Sequence, residues 1–184
     1  MGDTFAVIGS TLVYEGALLD LEVRTLRAPD GAVLQREVVH HPGAVAVLLM
    51  DGSDAVLIRQ HRTAVGGDVL EIPAGLLDRA GEPPEEAAAR ECVEEVGLRP
   101  RRLTRLGGIH TSVGFTDEYI HLFLGEDPVA EDAGQAHGEE AALQVVRIPF
   151  DQLARQARDG QLDDAKTIVA VLAVAARRDA DTGS

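Results

Sequence analysis

The sequence predicts an α+β fold in which helices cover a mixed sheet and a small antiparallel β segment comes first. Two apolar, β-branched runs, 44–50 and 55–60, indicate buried strands joined by a polar turn. The stretch 83–96 has the signals of a helix, because prolines suit its first turn and Gly97 follows its last residue. Strands on both sides of this helix indicate a layered sandwich.

Before the buried strands, the chain has the pattern of an antiparallel hairpin or three-stranded sheet. Residues 12–27 alternate irregularly between apolar and polar, with a break at Gly16. A Pro-Asp-Gly turn signal follows at 29–31, and residues 33–40 resume the extended pattern. These features predict a mostly β extension in front of the main domain.

After the helix, three more strands and two more helices are predicted. The strands are 103–109, 118–124 and 143–148, and the helices are 150–158 and 163–178. Asp163 or Asp164 would cap the last helix, and Arg177 and Arg178 would complement the dipole at its C-terminal end. The acidic, Gly- and Ala-rich stretch 127–138 is expected to be a mobile loop.

Composition argues against several classes of partner. The 184 residues include 17 Lys and Arg against 31 Asp and Glu, which gives a formal charge of −14. This charge disfavours bulk electrostatic binding to nucleic acid or to an anionic membrane, but it allows a local basic site for a small phosphate compound.

No apolar run approaches the roughly 20 residues of a membrane span. With a single cysteine and no recognisable signal peptide, the chain is expected to be cytoplasmic.

Glu91, Glu94 and Glu95 are the clearest chemical signal. On a helix Glu91 and Glu95 are i and i+4, so their carboxylates lie side by side, with Glu94 on the same polar side. The apolar face, which contains Cys92 and Val93, points elsewhere, so the acids are not expected to be buried. Such a trio is either a solvated acidic face or an oxygen cage for Mg²⁺ or Mn²⁺. The glycine-rich loop before the helix favours the cation, because its backbone can approach a ligand closely.

Residues 75–98 resemble the Nudix box, in which a glycine and a glutamate precede Arg-Glu, two residues, Glu-Glu and a closing glycine. The matching positions are Gly75, Glu82, Arg90, Glu91, Glu94, Glu95, Gly97 and Leu98. The spacer before Glu82 is one residue longer than usual, but the extra residue falls in a loop before the helix. The resemblance implies a Nudix-type α/β/α sandwich with a mixed sheet.

The resemblance covers about residues 11–150 and is closest to the ADP-ribose pyrophosphatase subfamily. It is carried by Arg36-Glu37, His41-Pro42-Gly43-Ala44-Val45, Arg59-Gln60-His61-Arg62 and Glu71-Ile72-Pro73-Ala74-Gly75. In that subfamily two protomers exchange the N-terminal β segment. The resemblance therefore implies a homodimer, with an exchanged segment over 1–41 and a Nudix hydrolase domain over 42–184.

The resemblance also implies a role for individual residues. Divalent metal, Mg²⁺ or Mn²⁺, would be held by Glu91 and Glu95, with Glu94 assisting and the carbonyl of Ala74 as a further ligand. A nucleoside diphosphate sugar would contact Arg36, Glu37, Arg62, Gly114 and Glu118. The catalytic base is expected in the loop before Leu143, where Glu139 and Glu140 both fit and Glu140 is preferred.

The resemblance therefore implies Mg²⁺-dependent hydrolysis of ADP-ribose to AMP and ribose 5-phosphate. A pyrophosphate repels an incoming hydroxide, and a divalent cation removes that repulsion and acidifies a bound water. Val113 stands where the subfamily usually has a proline, so another nucleoside diphosphate sugar or a dinucleotide remains open as the substrate. A sensor that binds ADP-ribose without turnover is a third interpretation, but the retained box acids favour an enzyme.

Overall fold

The structure is a computed structural model that describes residues 4–132 and 143–182. The chain forms two compact units. The first contains the chain up to Gly43 together with His110–Tyr119, and the second contains Ala44–Ile109 and the chain from Ile120 onward. The sequence did not indicate that His110–Tyr119 returns to the first unit.

A three-stranded antiparallel sheet forms the first unit, in the order β1-β2-β3. Its strands are β1 (Ala6–Glu15), β2 (Asp20–Arg27) and β3 (Val33–His40). The turn after β1 is tight, because the Gly16 N–H donates to the Leu19 carbonyl at 3.1 Å and a Cβ at Gly16 would lie 2.7 Å from the same oxygen. The predicted antiparallel sheet is confirmed, although β1 begins well before residue 12.

The segment His110–Tyr119 joins β3 through backbone hydrogen bonds. The Val39 N–H donates to the Phe115 carbonyl at 2.7 Å, and the Asp117 N–H donates to the Val39 carbonyl at 3.2 Å. Within the segment, the Thr116 N–H donates to the Ser112 carbonyl at 3.1 Å, which closes a turn. The loop is therefore tied to the N-terminal sheet by its backbone as well as by side chains.

A seven-stranded mixed sheet lies at the centre of the second unit. The strands of this unit are β4 (Ala44–Asp51), β5 (Asp54–Arg62), β6 (Gly67–Glu71), β7 (Ala74–Leu76), β8 (Leu98–Arg99), β9 (Arg102–His110), β10 (Tyr119–Glu126), β11 (Val129–Ala130) and β12 (Gln144–Pro149). The main order is β12-β5-β4-β10-β9, with β6 paired to β5 and β7 to β4, while β8 and β11 form a separate pair. β10 runs parallel to β4, whereas β5 is antiparallel to β4 and β12.

Helices cover both faces of this sheet. They are α1 (Pro84–Val96), α2 (Phe150–Arg158) and α3 (Ala165–Thr182). Alternate residues of β4 point to opposite sides, so that Leu48 and Met50 pack in one apolar cluster with Leu153 of α2 and Val171 of α3. The other face of β4 packs against α1 in a second cluster, formed by Val45, Val47, Leu49, Val56, Ala87, Ala88, Cys92 and Phe123. The predicted sandwich is confirmed, and the continuous apolar run of β4 is explained by cover on both faces.

Several local predictions need correction. β6 and β7 were not predicted, because they are short and are held by pairing with β5 and β4 rather than by their own pattern. α3 continues to Thr182 and its last turn contains no basic residue, so Arg177 and Arg178 do not lie at the end of the helix. Of the two proposed caps, Asp164 makes the contact, because its Oδ2 accepts a hydrogen bond from the Thr167 N–H at 3.0 Å.

Among the described residues, no helix is both long enough and apolar enough to cross a membrane. The predicted mobile loop at 127–138 falls partly in β11 and partly outside the described residues.

Candidate active site

Helix α1 presents the acidic residues, and local signals determine where it begins and ends. Pro83 is the N-cap, with extended backbone angles, and proline is tolerated in the first turn because those N–H groups have no intrahelical acceptor. Gly97 ends the helix in the left-handed conformation, with φ of 67°, and its N–H donates to the carbonyls of Cys92 and Val93. With Cys92 and Val93 buried against the sheet, Glu91 and Glu95 are directed along the edge of that contact towards β7.

Glu95 lies against the backbone of β7. Its Oε2 accepts a hydrogen bond from the Ala74 N–H at 2.9 Å. Burial raises the pKa of the Glu95 carboxyl to about 8, and the nearby charge of Glu91 adds to the effect, while the Ala74 N–H, Arg62 and Lys166 act against it. A carboxylate in this position is poorly solvated and would be stabilised by a cation.

Glu91 occupies space that a side chain at residue 75 would need. A Cβ built on Gly75 would lie 2.0 Å from the Glu91 Cδ, and real atoms do not approach so closely. The Glu91 side chain is 12% exposed, and burial raises its pKa while Arg90 lowers it. Of the two interpretations of these acids, a freely solvated face does not describe Glu91, because β7 covers the polar side of α1 at this point.

Arg90 links three of the box carboxylates. Its Nε and Nη2 donate to both oxygens of Glu82, at 3.0 and 2.9 Å. Its Nη1 donates to the Glu94 Oε2 at 2.7 Å and to the Glu91 Oε1. The hydrogen bonds to Glu82 are the main reason that the pKa of Arg90 is raised. The longer spacer before Glu82 does not prevent this residue from pairing with Arg90.

The donor set of this cluster fits a divalent cation. Glu91 and Glu95 are two largely shielded carboxylates beside a glycine backbone, and hard cations such as Mg²⁺ take oxygen ligands of this kind. In the described part of the chain, no three Asp, Glu, His or Cys side chains converge as a ready metal cage. A cation here would therefore need backbone oxygen or water in addition to these two side chains.

Arg62, predicted to bind substrate, is held by a buried carboxylate. Its Nε and Nη2 donate to the two oxygens of Glu71 at 2.7 and 2.8 Å. Glu71 is 2% exposed and also accepts a hydrogen bond from Lys166 Nζ. The Glu71 contact raises the pKa of Arg62. One face of this guanidinium is thus oriented by the protein, and its position is defined before any ligand binds.

The remaining predicted substrate residues belong to the first unit. Arg36, Glu37 and Gly114 line one cavity of about 440 Å³ together with Val23, Gln35 and Phe115. Glu118 accepts a hydrogen bond from Thr111 Oγ1 at 2.6 Å. The structure therefore brings Gly114 together with Arg36 and Glu37, from which it is far apart in sequence. The two candidates for the base, Glu139 and Glu140, lie outside the described residues.

The model of the NUDIX domain family matches residues 39–171. The chain belongs to the Nudix family. This confirms the recognition made from the box residues, and the Nudix match covers the acidic helix and every strand of the seven-stranded sheet.

Relatives of this Nudix chain include two pyrophosphatases. It is 38% identical over 171 residues to the ADP-ribose pyrophosphatase of Mycobacterium tuberculosis (strain ATCC 25618 / H37Rv), covering 92% of this chain and 83% of that protein. It is 35% identical over 155 residues to the GDP-mannose pyrophosphatase of Cronobacter sakazakii (strain ATCC BAA-894), covering 78% and 80%.

A solved structure shares the fold. The crystal structure of an ADP compounds hydrolase matches with a TM-score of 0.84 and 22% identity, over 96% of this chain and 95% of that one. With the family match and the relatives, the predicted enzyme class is confirmed, and the chain is a Nudix pyrophosphohydrolase. Nudix hydrolases generally use divalent metal ions, in agreement with the donor set of α1.

Three side chains that hold the segment before the Nudix box were not given a role from the sequence. Glu71 was noted as part of a resembling stretch, without a role, and Lys166 and Thr167 were not singled out. Asp164 could be found from its capping position, since Thr167 follows it at the distance of a cap partner. The contact between Lys166 and Glu71 spans 95 residues, and no local signal indicates it.

Proposed function

We propose that this Nudix hydrolase cleaves the pyrophosphate bond of ADP-ribose in a Mg²⁺-dependent reaction that yields AMP and ribose 5-phosphate. The observation that carries the proposal is the pair of shielded carboxylates, Glu91 and Glu95, beside the backbone of Ala74 and Gly75. The likeness to an ADP-ribose pyrophosphatase over most of both chains supports the choice of substrate.

In this proposal Glu91 and Glu95 hold the cation, with Glu94 assisting and the Ala74 carbonyl as a further ligand. When bound there, Mg²⁺ or Mn²⁺ would neutralise the diphosphate and acidify water. Arg90 keeps the acids of the box in place through its three carboxylate partners. The positive charge of Arg90 thus compensates the repulsion between these neighbouring carboxylates.

The reaction itself is a displacement at phosphorus. Water attacks one phosphorus of the diphosphate, and the bond from that phosphorus to the bridging oxygen breaks. Glu140, or in its place Glu139, accepts the proton of the attacking water as general base. The bridging oxygen leaves with the other phosphate, so the products are two phosphomonoesters.

Substrate recognition in this proposal depends on two arginines and on polar groups of the first unit. Arg62 offers a pre-oriented guanidinium to phosphate or ribose oxygens, a geometry well suited to bidentate contacts. Arg36, Glu37 and Gly114 would contact the nucleotide in the cavity that they line, and Glu118 would contact it from the same unit. Both Arg36 and Glu37 offer hydrogen-bonding groups to a base or a sugar.

A second substrate class is favoured by one residue and one relative. Val113, which stands in place of the usual proline, is 83% exposed and does not stiffen its loop as proline would. The likeness to a GDP-mannose pyrophosphatase fits the same alternative. A GDP- or UDP-linked sugar or a dinucleotide is therefore the competing substrate, whereas a sensor without turnover would not need the metal-binding pair.

We also propose a cytoplasmic homodimer that exchanges the segment 1–41. β1 exposes apolar side chains on both of its faces, including Val7, Ile8, Leu12 and Val13, at 44–59% exposure. Exposed apolar surface of this kind marks contact sites for protein partners. Light scattering after gel filtration tests the dimer, and a monomer at micromolar concentration would contradict it.

A substrate panel tests the function. Purified protein with Mg²⁺ is offered ADP-ribose, GDP-mannose, a UDP-sugar and a dinucleotide, and products are separated by chromatography. We expect AMP from ADP-ribose and the highest kcat/KM for that substrate, with Glu95→Gln inactive. A GDP-sugar ranked above ADP-ribose would favour the second class. Binding of ADP-ribose without any product under varied divalent metals would favour the sensor.

A further inference from the structure

The first turn of α3 carries a buried polar cluster that the mechanism above does not use. Lys166 is 8% exposed and Thr167 is fully buried. Lys166 Nζ donates to the Glu71 Oε2 and, at 3.0 Å, to the Asp164 Oδ1. Buried charges are expensive unless they are paired, and here Lys166 bridges the helix start to the end of β6.

The Thr167 hydroxyl is both a hydrogen-bond donor and a hydrogen-bond acceptor. Its hydroxyl donates to the Asp164 Oδ2 at 2.5 Å, and its Oγ1 accepts a hydrogen bond from the Ile72 N–H at 2.9 Å. Ile72 is itself fully buried, so this hydroxyl satisfies a backbone donor that has no access to water. The capped start of α3 is thereby connected to the segment that leads into the Nudix box.

The four residues of the segment 71–74 are held by contacts from α3, β5, β4 and α1. The Glu71 carboxylate is held by Lys166 and by Arg62, and the Ile72 N–H by Thr167. The Pro73 carbonyl accepts from the Val47 N–H of β4 at 2.8 Å. The Ala74 N–H then reaches Glu95 of α1. The segment is thus fixed along its length, with the proposed metal-binding carboxylate at its end.

We propose that Thr167 and Lys166 are positioning residues for the active site. They fix the segment 71–74, so that the peptide of Ala74 meets Glu95 and the guanidinium of Arg62 is held by Glu71. In the described structure neither residue hydrogen-bonds to the acidic pair on α1. Lys166 acts through Glu71 and through its charge near Glu95, and Thr167 acts through Ile72. Their effect on turnover rests on the proposed function, whereas their effect on the Ala74 amide does not.

Thr167 offers a matched pair of variants for the test. Thr167→Val keeps the shape of the side chain and removes the hydroxyl, whereas Thr167→Ser keeps the hydroxyl. Ile168→Val, the next residue on α3, removes packing in the same helix without touching the cluster. Amide hydrogen exchange is measured at Ile72 and Ala74 in metal-free protein, and kcat/KM for ADP-ribose is measured in parallel.

We expect Thr167→Val to speed exchange at both amides, by about tenfold at Ala74 as its hydrogen bond is weakened. Its kcat/KM should fall by about tenfold, with most of the loss in kcat, because a small misplacement of reacting groups is costly. Thr167→Ser should behave like the wild type in both measurements. Ile168→Val should lower Tm while leaving the Ala74 amide and kcat/KM unchanged.

Two results would contradict the positioning role of Thr167. If Thr167→Val changes exchange at Ile72 but not at Ala74, the residue is structural and the positioning role is wrong. The same conclusion follows if Ile168→Val reproduces the effects of Thr167→Val. If wild-type protein does not hydrolyse ADP-ribose, the proposed function fails, and the Ala74 amide still decides whether Thr167 positions the segment.

Discussion

His40 and Asp117, 77 residues apart in the chain, face each other with 2.6 Å between Nδ1 and Oδ2. On its other side, His40 Nε2 lies 2.6 Å from the Glu22 Oε2, with Arg24 at 3.4 Å. One imidazole therefore links the segment His110–Tyr119 to strand β2. This segment supplies Gly114 to the cavity of the first unit. The charge of His40 therefore affects the stability of the contact that holds this part of the cavity wall.

The stability of this link should depend on pH. Hydrogen bonds that His40 donates to Glu22 and to Asp117, the Glu22 bond having the larger effect, raise its pKa above the ordinary value of 6.5. A group whose pKa is raised on folding stabilises the protein fully below its unfolded pKa, and this stabilisation is lost as pH rises through the folded pKa. We expect Tm to fall as the pH is raised above 6.5, as measured by calorimetry.

The variant His40→Gln should remove this part of the pH dependence. The control is His61→Gln, because the His61 side chain is 62% exposed and its Nδ1 lies 3.3 Å from the Asp68 Oδ1. The Tm of this variant should change with pH as the Tm of the wild type does. At the acid end, Arg24 and then His40 lower the pKa of Glu22 to about 2, so its contribution is lost as the pH falls towards that value. If the Tm of His40→Gln falls with rising pH above neutrality as steeply as the Tm of the wild type, this account is wrong.

Gly75→Ala should strongly reduce activity and have a smaller effect on folding. The new methyl would lie 2.0 Å from the Glu91 Cδ, so the carboxylate must leave its position over β7. We expect kcat/KM to fall by about a hundredfold and the free energy of unfolding to fall by about 1–3 kcal/mol, as for other overpacked sites. Gly67→Ala is the control, since no atom lies within 4 Å of a Cβ there. Equal activity in the two variants would show that Glu91 does not need this position.

Glu95→Gln should lose activity while the protein becomes more stable. Glutamine can still accept the Ala74 N–H, but it removes a charge that burial disfavours. We expect the Tm of metal-free protein to rise by about 3 °C and binding of Mn²⁺, followed by electron paramagnetic resonance, to weaken. Glu86→Gln, an exposed position in the first turn of α1, should change neither. Unaltered Mn²⁺ binding in Glu95→Gln would contradict the proposed metal site.

Arg90→Met should reduce activity more than Arg79→Met. Arg90 pairs with Glu82, Glu91 and Glu94 and is 13% exposed, whereas Arg79 is 57% exposed and contacts Glu94. Loss of Arg90 leaves the box acids to repel one another, so kcat/KM is expected to fall by about a hundredfold. Arg79→Met should stay near wild-type activity because exposed ion pairs contribute little. Similar losses in both variants would argue against a special role for Arg90.

Local signals predicted much of the fold. The helix at 83–96 and the apolar strands β4 and β5 were found because capping residues, Gly97 and continuous β-branched runs act over a few residues. The short strands β6 and β7 were missed because their residues become extended by pairing with neighbouring strands. The end of α3 was placed too early, because the helix continues past Arg178 to Asp179, whose Oδ2 accepts a hydrogen bond from Arg158 of α2 at 3.1 Å, and no local signal indicates that contact.

By itself, the sequence determined that Glu91 and Glu95 share one side of a helix, because i and i+4 positions are neighbours in any α-helix. It also determined the family, because the box is a local spacing of residue types. Only the tertiary structure decided that these acids are shielded, that Arg90 joins Glu82, Glu91 and Glu94, and that Thr167 holds Ile72. Burial and such pairings depend on segments brought together from distant parts of the chain, and a one-dimensional pattern does not specify which segments meet.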